Sequence, residues 1–285
     1  MKKIKPISNK KSMLWKTDKP SRLHIRHALL LCFAAFVLAG CASSPWTDPL
    51  KETEADAIAH QVDALAARDA ACGRTLEGDL VLFYQSPLGK KALEGFLQFS
   101  MPSSYKFVVS NPFGQPVLVV AGNQDYFEAI NTLTKQYLTE NLASFGLRND
   151  IPSPFLKSDW SSLLTGRMQL SSRSIIDIRN DREARGVWLT FQNKQQAGVS
   201  HLLLDREKEI FLVYILEDGN GKKIAEITYG KRMPADTCHQ PLEINIAGLD
   251  YGTEIHITLD NVILSEQKKT YRLRPPAGYT RQYKP

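Results

Sequence analysis

The chain has 285 residues, 43% of them hydrophobic and 23% charged, with a formal net charge of +6. The positive balance lies almost wholly in residues 1–40, which hold nine Lys/Arg and one acid; the 245 residues after them carry 27 basic and 29 acidic groups, net −2. That excludes charge as a warrant for nucleic-acid binding, while 245 residues suffice for one sizeable domain.

Residues 1–40 open basic and turn apolar from Ala28 to Leu38. A positive start, a short apolar run and a small-residue cut form a secretory signal, and the run is too short to span a bilayer. Leu38-Ala39-Gly40-Cys41 resembles the lipobox of bacterial lipoproteins. The resemblance implies cleavage before Cys41, with diacylglycerol and an N-acyl chain on that cysteine; the alternative is an ordinary secreted protein with a chance cysteine at the cut. Ala42, rather than Asp, follows it, which by resemblance to Gram-negative sorting implies the outer membrane, with the domain facing the periplasm. Residues 41–51 read as a lipidated tether. Cys72 and Cys238 are expected to pair in an oxidising compartment; the alternative is two buried thiols that never meet.

Glu52 to Ala71 is alanine-rich, with Ile58, Val62, Leu65 and Ala66 on one face and acids early, which predicts a helix ended by Gly73. From Thr75 the period changes to two. Strands are predicted over Leu76–Tyr84, Ala92–Met101, Tyr105–Val109, Val117–Ala121, Tyr126–Asn131 and Thr134–Thr139, a meander of short strands with turn signals. Between the third and fourth lies Asn111-Pro112-Phe113-Gly114-Gln115-Pro116, a turn with Phe113 near its tip. Phe113 either folds back to cap its own sheet or stands out as an apolar finger for a membrane or a lipidated client. Thr139 to Gly146 reads as a short helix. After Ile151-Pro152-Ser153-Pro154, Leu156, Trp160, Leu163 and Leu164 form one helical stripe, stopped by Gly166.

These residues together resemble the LolB family of outer-membrane lipoprotein receptors. The resemblance rests on Ser104-Tyr105-Lys106 leading to Asn111-Pro112-Phe113-Gly114, then on Ile151-Pro152 before an aromatic helix ending Leu163-Leu164-Thr165-Gly166. It is best over residues 76–167 and fainter to 264. It implies a mainly β fold with helices (α+β), an open antiparallel half-barrel with a helical lid over an apolar cavity. It also implies an insertion loop at Pro112, Phe113 and Gly114, a periplasmic lipoprotein carrier and lipoprotein clients as partners, and no cofactor beyond the acyl groups of Cys41. Tyr105, Phe107 and Val109, with Leu156, Trp160 and Leu164 above them, are the expected acyl lining, on a face that a one-residue slip would invert.

The second half returns to strands: Ser174–Ile178, Gly186–Phe191, Val199–Leu204, Ile210–Leu216, Lys223–Tyr229, Leu242–Ile246 and Thr253–Leu264, with a hairpin turn at Asp218-Gly219-Asn220-Gly221. Asp177, Asp181 and Glu183 among Arg179, Arg182 and Arg185 read as a solvated hairpin end. The domain is therefore placed at 52–265. Residues 266–285 form a basic C-terminal extension, expected as a solvated, mobile tail with at most one short strand before Pro275-Pro276.

No Gly-x-Ser-x-Gly elbow, His-Glu-x-x-His, paired Cys-x-x-Cys or glycine-rich phosphate loop is present, so no enzyme and no metal site is expected. The expectation is a monomeric, lipid-anchored protein that binds acyl chains of lipoproteins and inserts them into the outer membrane. The rivals are a structural or assembly lipoprotein with a filled core that holds a protein partner, and a carrier of glycolipid or another amphiphile.

Overall fold

The computed structural model describes residues 44–87, 89–148, 156, 160–167, 173–193, 198–234, 238–249 and 252–284. The signal segment, Cys41 and Ile151–Phe155 fall outside them. Pro45–Pro285 form one compact unit.

Among the described residues fifteen strands share one sheet: β1 (Trp46–Pro49), β2 (Thr75–Ser86), β3 (Gly89–Ser100), β4 (Ser104–Ser110), β5 (Pro116–Gly122), β6 (Tyr126–Asn131), β7 (Gln136–Asn141), β8 (Arg173–Asp181), β9 (Val187–Asn193), β10 (Val199–Asp205), β11 (Ile210–Glu217), β12 (Lys223–Tyr229), β13 (Glu243–Leu249), β14 (Thr253–Ser265) and β15 (Thr280–Lys284). Their spatial order is β1-β8-β9-β10-β11-β12-β13-β14-β2-β3-β4-β5-β6-β7-β15. The sheet is open, since its end strands β1 and β15 are not neighbours. Neighbouring strands are antiparallel except β15, which runs parallel to β7, so the sheet is mixed rather than purely antiparallel.

Helix α1 (Glu52–Ala70) defines the inner face. Glu52 and Glu54 sit in its first turn and Arg68 in its last, the polarity the helix dipole favours. Ile58, Val62 and Leu65, spaced four and three apart, are buried in one cluster with Leu76, Leu97, Phe99, Leu204, Ile227 and Leu259 of the sheet. The chain leaves the helix through Cys72, whose disulfide to Cys238 spans 166 residues with Cα atoms 6.1 Å apart. Gly73 then passes against β14, where a Cβ would meet the Ser265 nitrogen at 2.9 Å. Two short helices complete the described elements, α2 (Leu142–Arg148) and α3 (Trp160–Thr165).

Four local expectations are corrected. The segment read as a tether contains β1, which pairs with β8, and Trp46 stacks on His201 at 4.5 Å between ring centroids and meets Trp188 edge-on at 5.6 Å. Its ring joins a second apolar cluster of Trp188, Leu203, Val213 and Ile215 on the outer face. The helix expected over 139–146 begins at Leu142, because Gln136–Asn141 pair with β6 on one side and Gln136–Glu140 with β15 on the other. Asp181 is buried, not solvated.

The C-terminal segment is a strap rather than the expected solvated tail. Its backbone N–H groups at Lys269, Tyr271 and Leu273 donate to Ser100 Oγ (2.9 Å), Ser104 Oγ (3.1 Å) and Glu128 Oε2 (2.7 Å), so it crosses from β3 to β6. Lys269 Nζ pairs with Glu77 at 2.5 Å, and Arg272 lies over the Tyr126 ring. The strand follows Pro275-Pro276 instead of preceding them, and β15 covers the β7 edge.

Candidate functional site

The β4–β5 tip is built by one asparagine. Asn111 Oδ1 accepts the Phe113 and Gln115 N–H groups at 3.0 Å each, and the Asn111 N–H donates to Gln115 O at 2.9 Å. The Gly114 N–H donates to Asn111 O at 2.9 Å. Gly114 has φ +77°, the left-handed region, with no atom within 4 Å of a Cβ there; it is conformation and not crowding that asks for glycine. Pro112 and Phe113 are held in this frame with their side chains outward. Phe113 is 89% exposed. The fold-back alternative is thereby overturned: the ring does not cap its own sheet.

Below the tip, cross-strand register sorts the apolar side chains by face. Val109 opposes Leu118, Phe107 opposes Val120, and Tyr105 opposes Gly122. The row of Phe107 and Val120 continues through Ala129 to Leu138. These positions share the face of Leu97 and Phe99, which oppose Phe107 and Tyr105 across β3–β4, so the expected face of β4 is the inner one. Burial falls toward the tip. Leu97 and Phe99 are fully enclosed, Val109, Leu118, Val120 and Leu138 are half-buried, and Leu93 is 41% exposed. The inner face of β3–β7 is thus an apolar wall that the protein's own side chains cover only in part.

Tyr105 and Phe107 pack against the main core, as do Trp160 and Leu164 of α3. Burial pushes the Tyr105 hydroxyl up to about 12. Leu156 is buried, and its carbonyl accepts the Trp160 indole N–H at 3.2 Å. Helix α3 is pinned at its end: Gln240 Nε2 donates to Leu164 O at 2.9 Å and the Tyr229 hydroxyl to Ser162 O at 3.2 Å. Of the six expected lining residues, four therefore meet one core. Val109 lies one row nearer the tip, and Leu156 is buried and bonded to Trp160 through its carbonyl. Leu118, Val120 and Leu138 complete the wall and were legible only as strand residues, because period two does not say which strands are neighbours.

A recess of about 900 Å³ lies elsewhere, between α1 and the β8–β9 and β10–β11 turns. Its lining includes Asp181, Arg185, Asp205, Arg206 and Lys208. That charge makes it unsuited to a hydrocarbon chain. Among the described residues no group of three or more His, Cys, Asp or Glu could hold a metal ion, and no helix is long and apolar enough to cross a membrane.

No protein-family model and no curated protein matches the chain. Solved structures that resemble it include a putative outer membrane lipoprotein-sorting protein domain from Vibrio parahaemolyticus, 9% identical, over 72% of this chain and 91% of that one, with a TM-score of 0.48. A LolA superfamily protein from Nitrosomonas europaea is 8% identical over 72% and 94% of the two chains, TM-score 0.44. The lipoprotein LppX of Mycobacterium tuberculosis is 9% identical over 75% and 99%, TM-score 0.30.

Proposed function

We propose that this chain is an outer-membrane lipoprotein that receives acyl chains of other lipoproteins from a periplasmic carrier and delivers them to the bilayer, with no catalytic step. The observation that carries the reading is the 89% exposed Phe113 ring on a rigid Asn111 tip, directly above the half-covered apolar wall of Val109, Leu118, Val120 and Leu138. An acyl chain gains about 0.8 kcal/mol for each CH₂ removed from water. A partly covered apolar wall offers that gain reversibly, and the bilayer offers it more fully, so transfer runs downhill without a nucleotide. Phe113, with Pro112 and Gly114 fixing its direction, perturbs the receiving leaflet. The Cys41 lipids tether the domain to that membrane.

The decisive experiment replaces Phe113 by Glu in the mature protein and follows two readouts. Binding of a fluorescent acyl probe should be retained, and insertion of a lipoprotein delivered by its periplasmic carrier should be lost. Absence of acyl-probe binding by the unmodified protein would instead favour the assembly-lipoprotein reading, in which the sheet holds a protein partner. Preference for a glycolipid over a lipoprotein acyl group would favour a carrier of another amphiphile.

A further inference from the structure

We propose that Leu133, at the tip of the β6–β7 hairpin, is a second membrane-contacting prong that enters the bilayer surface beside Phe113; this rests on the carrier reading above. Pairing of β5 with β6 sets Leu118 opposite Asn131, which places the two hairpin tips at the same end of adjacent hairpins. They are also bonded to one another. The Thr132 N–H donates to Val117 O at 3.1 Å, and the Thr132 hydroxyl donates to Pro116 O at 2.8 Å, just behind the Phe113 turn.

The two tips share one construction. Asn131 Oδ1 accepts the Leu133 and Thr134 N–H groups at 3.0 Å each, as Asn111 Oδ1 accepts those of Phe113 and Gln115. In both, the asparagine organises the turn and the residue two places on is a large apolar one: Asn111-Pro112-Phe113 and Asn131-Thr132-Leu133. The turn chemistry needs the asparagine but makes no demand for an apolar side chain at that second position. Leu133 is 77% exposed and so contributes nothing to the core it stands on. The similarly exposed Leu147 and Tyr283 do not join this pair; they lie toward the other end of β7, on α2 and opposite Thr139.

The occupant these tips fit is a phospholipid surface rather than a protein groove. Phe113 and Leu133 stand out singly at the ends of two turns, a form suited to entering a headgroup layer. Lys135 is exposed two residues after Leu133, and Lys90 and Lys91 are exposed on the β2–β3 hairpin, which points to the same end. Apolar points rimmed by lysine suit a headgroup layer containing anionic lipid.

The test uses the full mature protein carrying Leu133→Cys. Acylation of Cys41 and the Cys72–Cys238 disulfide leave the new thiol alone to take an environment-sensitive fluorophore. In vesicles of phosphatidylethanolamine and phosphatidylglycerol with brominated acyl chains, the label should shift to the blue and be quenched, as should one at Phe113→Cys, while a label at Leu147→Cys stays as in water. Leu133→Glu should slow lipoprotein insertion roughly tenfold or more while acyl-probe affinity is unchanged. A label at 133 that remains in water while the one at 113 is quenched overturns the second prong and leaves the carrier reading standing. Loss of acyl-probe binding in the unmodified protein reports separately on that reading.

Discussion

The Trp188 indole nitrogen donates to Asp181 Oδ1 at 2.8 Å, joining two side chains that are both enclosed. Asp181 closes the β8–β9 turn. Its Oδ2 also takes the Glu183 and Arg185 N–H groups, and its carboxylate is gripped by the Arg185 guanidinium at 3.0 and 3.1 Å. Burial alone would raise this carboxyl, but the bonds from Arg185 and Trp188 outweigh burial and hold it below the usual carboxylate value. Because the folded value is depressed, the stabilisation is present above the unfolded value near 3.9 and is lost as pH falls through the folded one. Asp181→Asn should cost about 2–3 kcal/mol near neutral pH and flatten the acid limb of the stability curve. Urea titrations of both proteins from neutral to acid pH check both statements; parallel curves would refute the second.

The Cys72–Cys238 disulfide ties the end of α1 to the loop between β12 and β13. Around it Arg167 Nη1 donates to Gly73 O at 3.1 Å and Arg232 Nη1 to His239 O at 2.8 Å, so the loop has other holds. A bridge closing so long a loop chiefly restricts the unfolded chain. Cys72→Ser with Cys238→Ser should therefore lower stability by about 2–5 kcal/mol with little change in the folded spectrum. Chemical denaturation with near-ultraviolet circular dichroism measures both, and equal midpoints with and without the bridge would count against it.

Much of the sheet was legible because its strands are covered unequally on their two faces and so alternate. Leu76, Leu80 and Leu82 of β2 point inward and Glu77, Asp79 and Val81 outward, a period no helix produces. The end of β7 was misread because Glu140 is buried, in an ion pair with Arg148, where alternation of apolar residues gives no sign of an inward position. The strap was missed for a different reason. Lys269, Tyr271, Leu273 and Pro275 do alternate with the exposed Lys268, Thr270, Arg272 and Arg274, but the partners of its N–H groups are side chains of distant strands. An extended segment bonded that way tolerates proline, so Pro275-Pro276 did not mark its end. At the site, turn chemistry placed Phe113 near a tip but left open whether its ring folds back; its exposure needed the structure. The wall beneath it needed the neighbour relations of β4 to β7.

Burial pushes Tyr105 up to about 12 from the ordinary phenol value. With the folded value above the unfolded one near 10, the neutral hydroxyl is favoured by folding. Its contribution is complete below the unfolded value and is lost as pH rises through the folded one. Tyr105→Phe should flatten the alkaline loss of stability and remove one late-ionising phenol from an ultraviolet titration. A titration in which every tyrosine ionises near 10 would contradict the burial.

Removing residues 266–285 should do two things that a loose tail would not. Three backbone bonds to Ser100, Ser104 and Glu128 disappear together with the Lys269–Glu77 pair, an expected loss of about 3 kcal/mol. The β7 edge, which β15 pairs from Gln136 to Glu140, is bared, and an uncovered edge offers its N–H and C=O groups to another chain. The truncated protein should therefore self-associate as its concentration rises, while the full chain sediments as one species. Phe113→Glu in the truncated background separates this edge contact from apolar contact at the tip. If association persists with Glu at 113, the edge is the interface. If the truncated chain stays monomeric and as stable as the full one, the strap holds nothing together.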